Sequence, residues 1–168
     1  MIQIFTGNGK GKTTAALGLI IRALGHGWRV CLIQFMKKDF RYGEIEQLKK
    51  LSGIDIFQFG TDQLIDPDHL SEIDYTEAEK AWEKARDVIL SDNYDLIVLD
   101  EINVAVAWNL LPVSRQLELM ALDTSAELVM TGRYAHTEVL EKADLVTEMK
   151  EIKHYFQKGI SAREGIEF

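Results

Sequence analysis

The sequence predicts a single α/β domain spanning residues 1–168, with a mostly parallel sheet of about six strands flanked by helices. Three observations carry this. Short apolar runs of strand length alternate with segments of helical period, which calls for crossover connections and therefore parallel pairing. Two of the runs, WRVCLIQF at 28–35 and LIVLDE at 96–101, are almost continuously apolar, as strands covered on both faces are. A chain of 168 residues is also of the size at which folding buries roughly two-thirds of the unfolded surface, enough for one self-sufficient core.

The elements follow in order. IQIF at 2–5 is short, apolar and β-branched, and reads as the first strand. A glycine-rich stretch leads into TTAALGLIIRALG, whose strong helix formers end at Gly25 and Gly27, a helix-terminating pattern. The helix from Thr13 to Leu24 is apolar nearly all round, so it is expected to be buried against the sheet. After the strand WRVCLIQF, GEIEQLKKL reads as a short helix and IDIFQF at 54–59 alternates like a strand. From Gly60 to Tyr75 no period is visible, and Pro67 marks a long loop. TEAEKAWEKARDVIL places Thr76 and Glu79 in capping-box positions and Ala78, Ala81, Trp82, Ala85, Val88 and Ile89 at helical spacing. LIVLDE, AELVMTGR at 126–133 and ADLVTEM at 143–149 read as further strands, and KHYFQKGISAREGIEF as a loop or edge strand. Ligands of such a sheet sit at the carboxyl ends of its strands.

Composition narrows the function. The chain is 46% hydrophobic and 27% charged, as soluble globular proteins are, and no apolar run approaches the roughly 20 residues that span a membrane. MIQIF reads as a strand rather than a signal peptide. Cys31, the one cysteine, lies in an apolar run and reads as a buried structural thiol. A chain without an intrachain disulfide suits the cytoplasm. The net charge of −8 argues against tracking a nucleic-acid backbone, which requires phosphate neutralisation by Lys and Arg. Basic residues gather instead toward the start, at Lys10, Lys12, Arg22, Arg29, Lys37, Lys38 and Arg41, so an anionic ligand is to be met by a local cluster.

That cluster overlaps FTGNGKGKTT at 5–14. A phosphate loop works because glycines let consecutive backbone N–H groups converge on phosphate oxygens at the positive end of a helix, while a lysine reaches along the phosphates. Gly7, Gly9 and Gly11 provide the permissive backbone, Lys12 the phosphate lysine, Thr13 the hydroxyl for Mg²⁺, and Thr14 a further hydrogen bond. The usual spacing G-x-x-x-x-G-K-[ST] asks for glycine where Thr6 stands, and counting from Gly7 leaves the loop one residue short. Asp100 and Glu101 end a strand, as the acidic partners that organise the magnesium would; the sequence leaves open which of them touches the ion. Arg133 ends another strand and reads equally as a surface arginine or as a group pointing at the same phosphates. His26, His69, His136 and His154 show no metal-ligand spacing, and no Ser-His-Asp or Cys-His arrangement suggests itself.

On FTGNGKGKTTAALGLIIRALGHGWRVCLIQFMK, YGE at 42–44, VLDE at 98–101, TGR at 131–133, ADLVTEM and the ending KHYFQKGISAREGIEF, the chain resembles the ATP:corrinoid adenosyltransferases of the P-loop type. The resemblance implies a P-loop (RecA-like) fold and a reaction in which a Co(I) corrin attacks the ribose C5′ of ATP and expels the whole triphosphate. It further implies that Asn8 to Thr14, Lys10 included, bind triphosphate with help from Arg22, that Lys12 and Arg133 with Mg²⁺ stabilise the leaving oxygens, and that Glu101 or Asp100 serves the metal. A homodimer and an electron-donor flavoprotein are implied in the same way. Two departures stand out. Many members carry Phe-Thr-Trp after the glycine corresponding to Gly60, on a loop that covers the corrin, whereas this chain reads GTDQLIDPDHL. Members also often carry an N-terminal extension reaching over a partner's site, whereas this chain begins at its first strand. Beside adenosyl transfer, the residues also fit a P-loop ATPase or kinase acting on the γ-phosphate, or a non-catalytic ATP-binding module.

Overall fold

The computed structural model describes residues 1–37, 42–62 and 65–167. Lys38 and Arg41 of the basic cluster, Gln63 and Leu64 of the long loop, and Phe168 lie outside the described residues. Six strands, β1 (Ile2–Thr6), β2 (Val30–Gln34), β3 (Ile54–Gln58), β4 (Leu96–Asp100), β5 (Glu127–Thr131) and β6 (Leu145–Glu148), form one sheet in the order β3-β2-β4-β5-β1-β6. Every pairing is parallel. The two continuously apolar runs supply β2 and β4, which are buried at every position, whereas the edge strand β6 is exposed throughout.

Helices α1 (Lys12–Gly25) and α2 (Gly43–Leu48) pack on one face through Ala16, Ile20, Ala23, Ile45 and Leu48 against Phe5, Val30, Leu32, Val98 and Val129. The other face carries α3 (Glu72–Leu90), α4 (Ile102–Ala107), α5 (Val113–Met120) and α6 (Thr137–Lys142) over Ile4, Ile33, Ile97, Leu99 and Met130. Helix α1 is buried on one stripe and not all round: Ile21 is 53% exposed and Gly18 is exposed, because no further layer covers its outer side. Helix α3 starts earlier than Thr76. Ser71 caps it, donating its backbone N–H (2.9 Å) and hydroxyl (2.6 Å) to the Asp74 carboxylate, so the box lies a turn upstream of the Thr76 and Glu79 positions. The final segment is neither strand nor plain loop; it holds a 3₁₀ turn at Tyr155–Lys158.

Cys31 is fully buried and its thiol pKa is pushed up to about 12, chiefly by burial. Among the described residues no helix is long and apolar enough to cross a membrane.

Candidate active site

The carboxyl ends of β1, β2, β4 and β5 converge on one cavity of about 660 Å³. Its floor is the turn between β1 and α1. Gly11 adopts φ +118 as the residue before α1, a left-handed conformation that glycine accepts without cost. At Gly9 the constraint is space: a Cβ would lie 2.7 Å from the Met149 carbonyl oxygen, which already accepts the Gly9 N–H at 2.7 Å. The end of β6 therefore clamps the loop from outside. Lys12, nearly buried, folds its ammonium onto the Gly7 and Gly9 carbonyls at 2.7 and 2.8 Å. Burial lowers its pKa, helped by the neighbouring positive charge of Arg133.

Gly9, Lys10, Gly11, Lys12, Thr13 and Thr14 line this cavity together with Glu101 and Arg133. Gly7 and Asn8 form the outer bend and do not. Lys10 sits at the rim and gives its ammonium to the C-terminal segment, to Glu167 Oε1 and the Ile166 carbonyl at 2.7 Å and to the Tyr155 hydroxyl at 3.1 Å. Arg22 is the departure from the sequence expectation. It lies in the last turn of α1, roughly 15 Å along the axis from Lys12, and lines a separate cavity of about 460 Å³ with Gln3, His26, Trp28 and Glu127. Within one chain the helix carries it away from the phosphate loop.

Beneath the floor Asp100 is fully buried at the end of β4. Its Oδ1 accepts from the Thr13 hydroxyl (2.9 Å) and the Thr131 hydroxyl (2.7 Å), and its Oδ2 from Gln34 Nε2 (3.0 Å) and Lys37 Nζ (2.7 Å). Burial works to raise its pKa, but the charge and hydrogen bond of Lys37, with Thr131 and Gln34, hold it below the ordinary Asp value. The adjacent Glu101 is different. It takes φ +65 between β4 and α4, pinned by its N–H on the Thr131 hydroxyl at 3.0 Å, and its side chain turns into the cavity. Burial and the neighbouring Asp100 charge raise its pKa, outweighing Lys37. Two adjacent carboxylates thus differ: one is locked below the floor, the other is presented.

Thr13 donates its proton to Asp100, which leaves its oxygen lone pairs toward the cavity. A hydroxyl and a presented carboxylate are hard oxygen donors that suit Mg²⁺, an ion held through few protein ligands plus substrate phosphates. Among the described residues no group of three or more His, Cys, Asp or Glu is arranged to hold a metal.

The remaining wall was not foreseen from sequence. Met36, Tyr42, Ile65, Pro67, Val104, Trp108 and Tyr134 add a largely apolar lining to the same cavity. Tyr134 holds φ +60 and is 60% exposed; Met36 holds φ +60. Such left-handed non-glycine residues gather at functional sites. The turn before Tyr134 is set by Gly132 (φ +130), where a Cβ would meet Val104 N at 2.9 Å. His154, Ile166 and Glu167 of the final segment complete the rim.

A parallel sheet whose first strand feeds a glycine loop and helix, with an acidic strand end beneath the loop threonine, defines a P-loop nucleotide-binding protein of RecA-like architecture. Its backbone superimposes on the flagellar accessory protein FlaH from Methanocaldococcus jannaschii with a TM-score of 0.53 at 14% identity, covering 88% of this chain and 69% of that one, a likeness of fold alone. The chain belongs to the ATP:corrinoid adenosyltransferase family BtuR/CobO/CobP, whose sequence model matches residues 1–168. It is 38% identical over 172 residues to a corrinoid adenosyltransferase of Sinorhizobium sp, covering 100% of this chain and 80% of that protein. It is 35% identical over 169 residues to the corrinoid adenosyltransferase of Escherichia coli K12, covering 100% and 85%.

Proposed function

We propose that this chain, as a single domain, transfers the 5′-deoxyadenosyl group of ATP to the Co(I) of a corrinoid and releases triphosphate. Family membership carries the reaction. The observation that supports its placement is that one cavity joins a phosphate loop, on Lys12, Thr13 and Arg133, to an apolar wall of Met36, Val104, Trp108 and Tyr134. Such a wall can take the adenine of ATP and the face of a corrin ring beside it, and it is family membership that separates adenosyl transfer from γ-phosphate hydrolysis.

On this reading cobalt is the nucleophile and no general base is needed. Lys12 exchanges the Gly7 and Gly9 carbonyls for phosphate oxygens, which offset its burial better than neutral carbonyls do. Arg133, lining the same cavity, adds a second positive charge where the leaving oxygens develop theirs. Thr13 and Glu101 would hold Mg²⁺, with Asp100 orienting the Thr13 hydroxyl; a bound ion would supply charge neutralisation to the triphosphate. The apolar wall fixes the corrin face and excludes water, so that C5′ and cobalt meet in line. A cytoplasmic setting, a homodimer and a flavoprotein reductant accompany this reading. Mixing the protein anaerobically with chemically reduced cobalamin or cobinamide and Mg-ATP tests it: the absorbance change of adenosylation is expected, and its absence with both corrinoids would overturn the proposal.

A further inference from the structure

We propose that Lys37 is a binding residue for the triphosphate, held over the cavity by Asp100 and opposing a free divalent cation at Thr13 and Glu101. The inference rests on the triphosphate reading of the loop.

Lys37 comes just beyond β2, where the left-handed Met36 turns the chain. Its own N–H is fixed on the Phe59 carbonyl at 2.7 Å. The turn carries its side chain over the neighbouring strand end, in the register that pairs Gln34 with Asp100. The ammonium stands 2.7 Å from Asp100 Oδ2, 3.9 Å from Glu101 Oε1 and 5.5 Å from the centre of the Tyr42 ring, and lines the same cavity as Lys12, Thr13 and Arg133. Its side chain is 16% exposed.

A carboxylate offers about four lone-pair positions, and Asp100 has four donors on them: Thr13, Thr131, Gln34 and Lys37. Three of these are neutral groups of the sheet and loop, and would serve a structural Asp without help. Lys37 is the charged one. An ammonium carries three donors, so the bond to Asp100 leaves capacity for an anion in the cavity. A buried ion pair adds little stability over apolar residues of similar volume; on a cavity wall its retention points to a ligand. A divalent cation approaching Thr13 and Glu101 meets the Lys37 charge and is repelled, while an arriving triphosphate gives that lysine new oxygens. Lys37 therefore favours the anion over the free cation.

The two halves predict opposite signs. Lys37→Met should weaken binding of inorganic tripolyphosphate, titrated calorimetrically without metal, by about tenfold or more. The same substitution should tighten Mn²⁺ binding to the nucleotide-free protein, read by electron paramagnetic resonance, by about tenfold. Loosened structure would weaken both, and that result, like no change in either, overturns the inference. Because Lys37→Met leaves Asp100 without its counter-charge, the double variant Asp100→Asn/Lys37→Met provides a neutral background. With that charge removed it should bind tripolyphosphate more tightly than the single variant but still more weakly than the wild type, and wild-type affinity there would overturn the inference. Failure of the wild-type protein to bind tripolyphosphate would instead remove the triphosphate reading itself.

Discussion

The two ends of the sheet are built by different rules. At the carboxyl end Thr6, Lys12, Gln34, Asp100, Asn103 and Thr131 are buried polar side chains, and Met36, Glu101 and Tyr134 take left-handed backbone. At the amino end the charged groups stay near solvent: Arg29 lies 4.0 Å from Asp95 with both half-exposed, and Gln3 meets Glu127 at 2.7 Å. Buried charge costs free energy, and here it gathers where a ligand can use it; left-handed backbone is less selective, since Asp92 before β4 also takes φ +50. The amino end has a cavity too, but no comparably buried charge faces it. Cavity size alone therefore does not mark the site.

This contrast can be broken by paired substitutions. Lys12→Ala removes the cation expected on the phosphates and should lower the adenosylation rate by about a thousandfold, with ATP binding by calorimetry greatly weakened. Arg22→Ala, on the same helix but in the other cavity, should stay within about twofold; an equal loss there would restore Arg22 to the site. Asp100→Ala removes the nearer carboxylate of Lys37 and the shared acceptor of Thr13, Thr131 and Gln34 and should cost about 3 kcal/mol in denaturant unfolding. Asp95→Ala at the amino end breaks an exposed pair and should cost no more than about 1 kcal/mol.

Glycines of the two ends differ likewise. Gly9→Ala drives a methyl into the Met149 and Lys150 backbone and should cost about 1–3 kcal/mol. Gly25→Ala meets nothing within 4 Å and should be neutral or stabilise by about 0.5 kcal/mol through the unfolded chain.

The smallest effect concerns the C-terminal segment. Glu167 accepts from Lys10, Tyr155 and Arg163, and these hold its pKa below the ordinary 4.5. A depressed carboxylate contributes above its unfolded pKa and loses that contribution as pH falls through the folded value. Hydrogen exchange of residues 155–167 should thus be unchanged from pH 7 to 5 after correction for intrinsic rates and rise as pH falls below 4.5. Glu167→Gln should remove that rise.

What could be read in advance was what local sequence carries. The glycine loop, the Asp100–Glu101 strand end and Arg133 after β5 are each short motifs tied to one turn, and their meeting follows once parallel strands are granted. Helices α4, α5 and α6 were not foreseen: INVAVA is buried at nearly every position and shows no polar face to set a period, and VSRQLELM and TEVLEK are too short, at 8 and 6 residues, to display one. Lys37 was visible only as one of several basic residues. Its position depends on the Met36 turn and on β2 lying beside β4, and neither is a property of adjacent residues. Arg22, expected near the triphosphate from the resemblance alone, lines the other cavity within one chain because the length of α1 separates it from Lys12.

In adenosyl transfer the loop holds a triphosphate that leaves whole. Phosphorus-31 NMR of the products, after anaerobic turnover with Mg-ATP and a Co(I) corrinoid, tests it most directly. The account predicts tripolyphosphate in equal amount to the adenosylated corrinoid. ADP with orthophosphate, formed without a carbon–cobalt product, would contradict it and make the protein a hydrolase of the γ-phosphate.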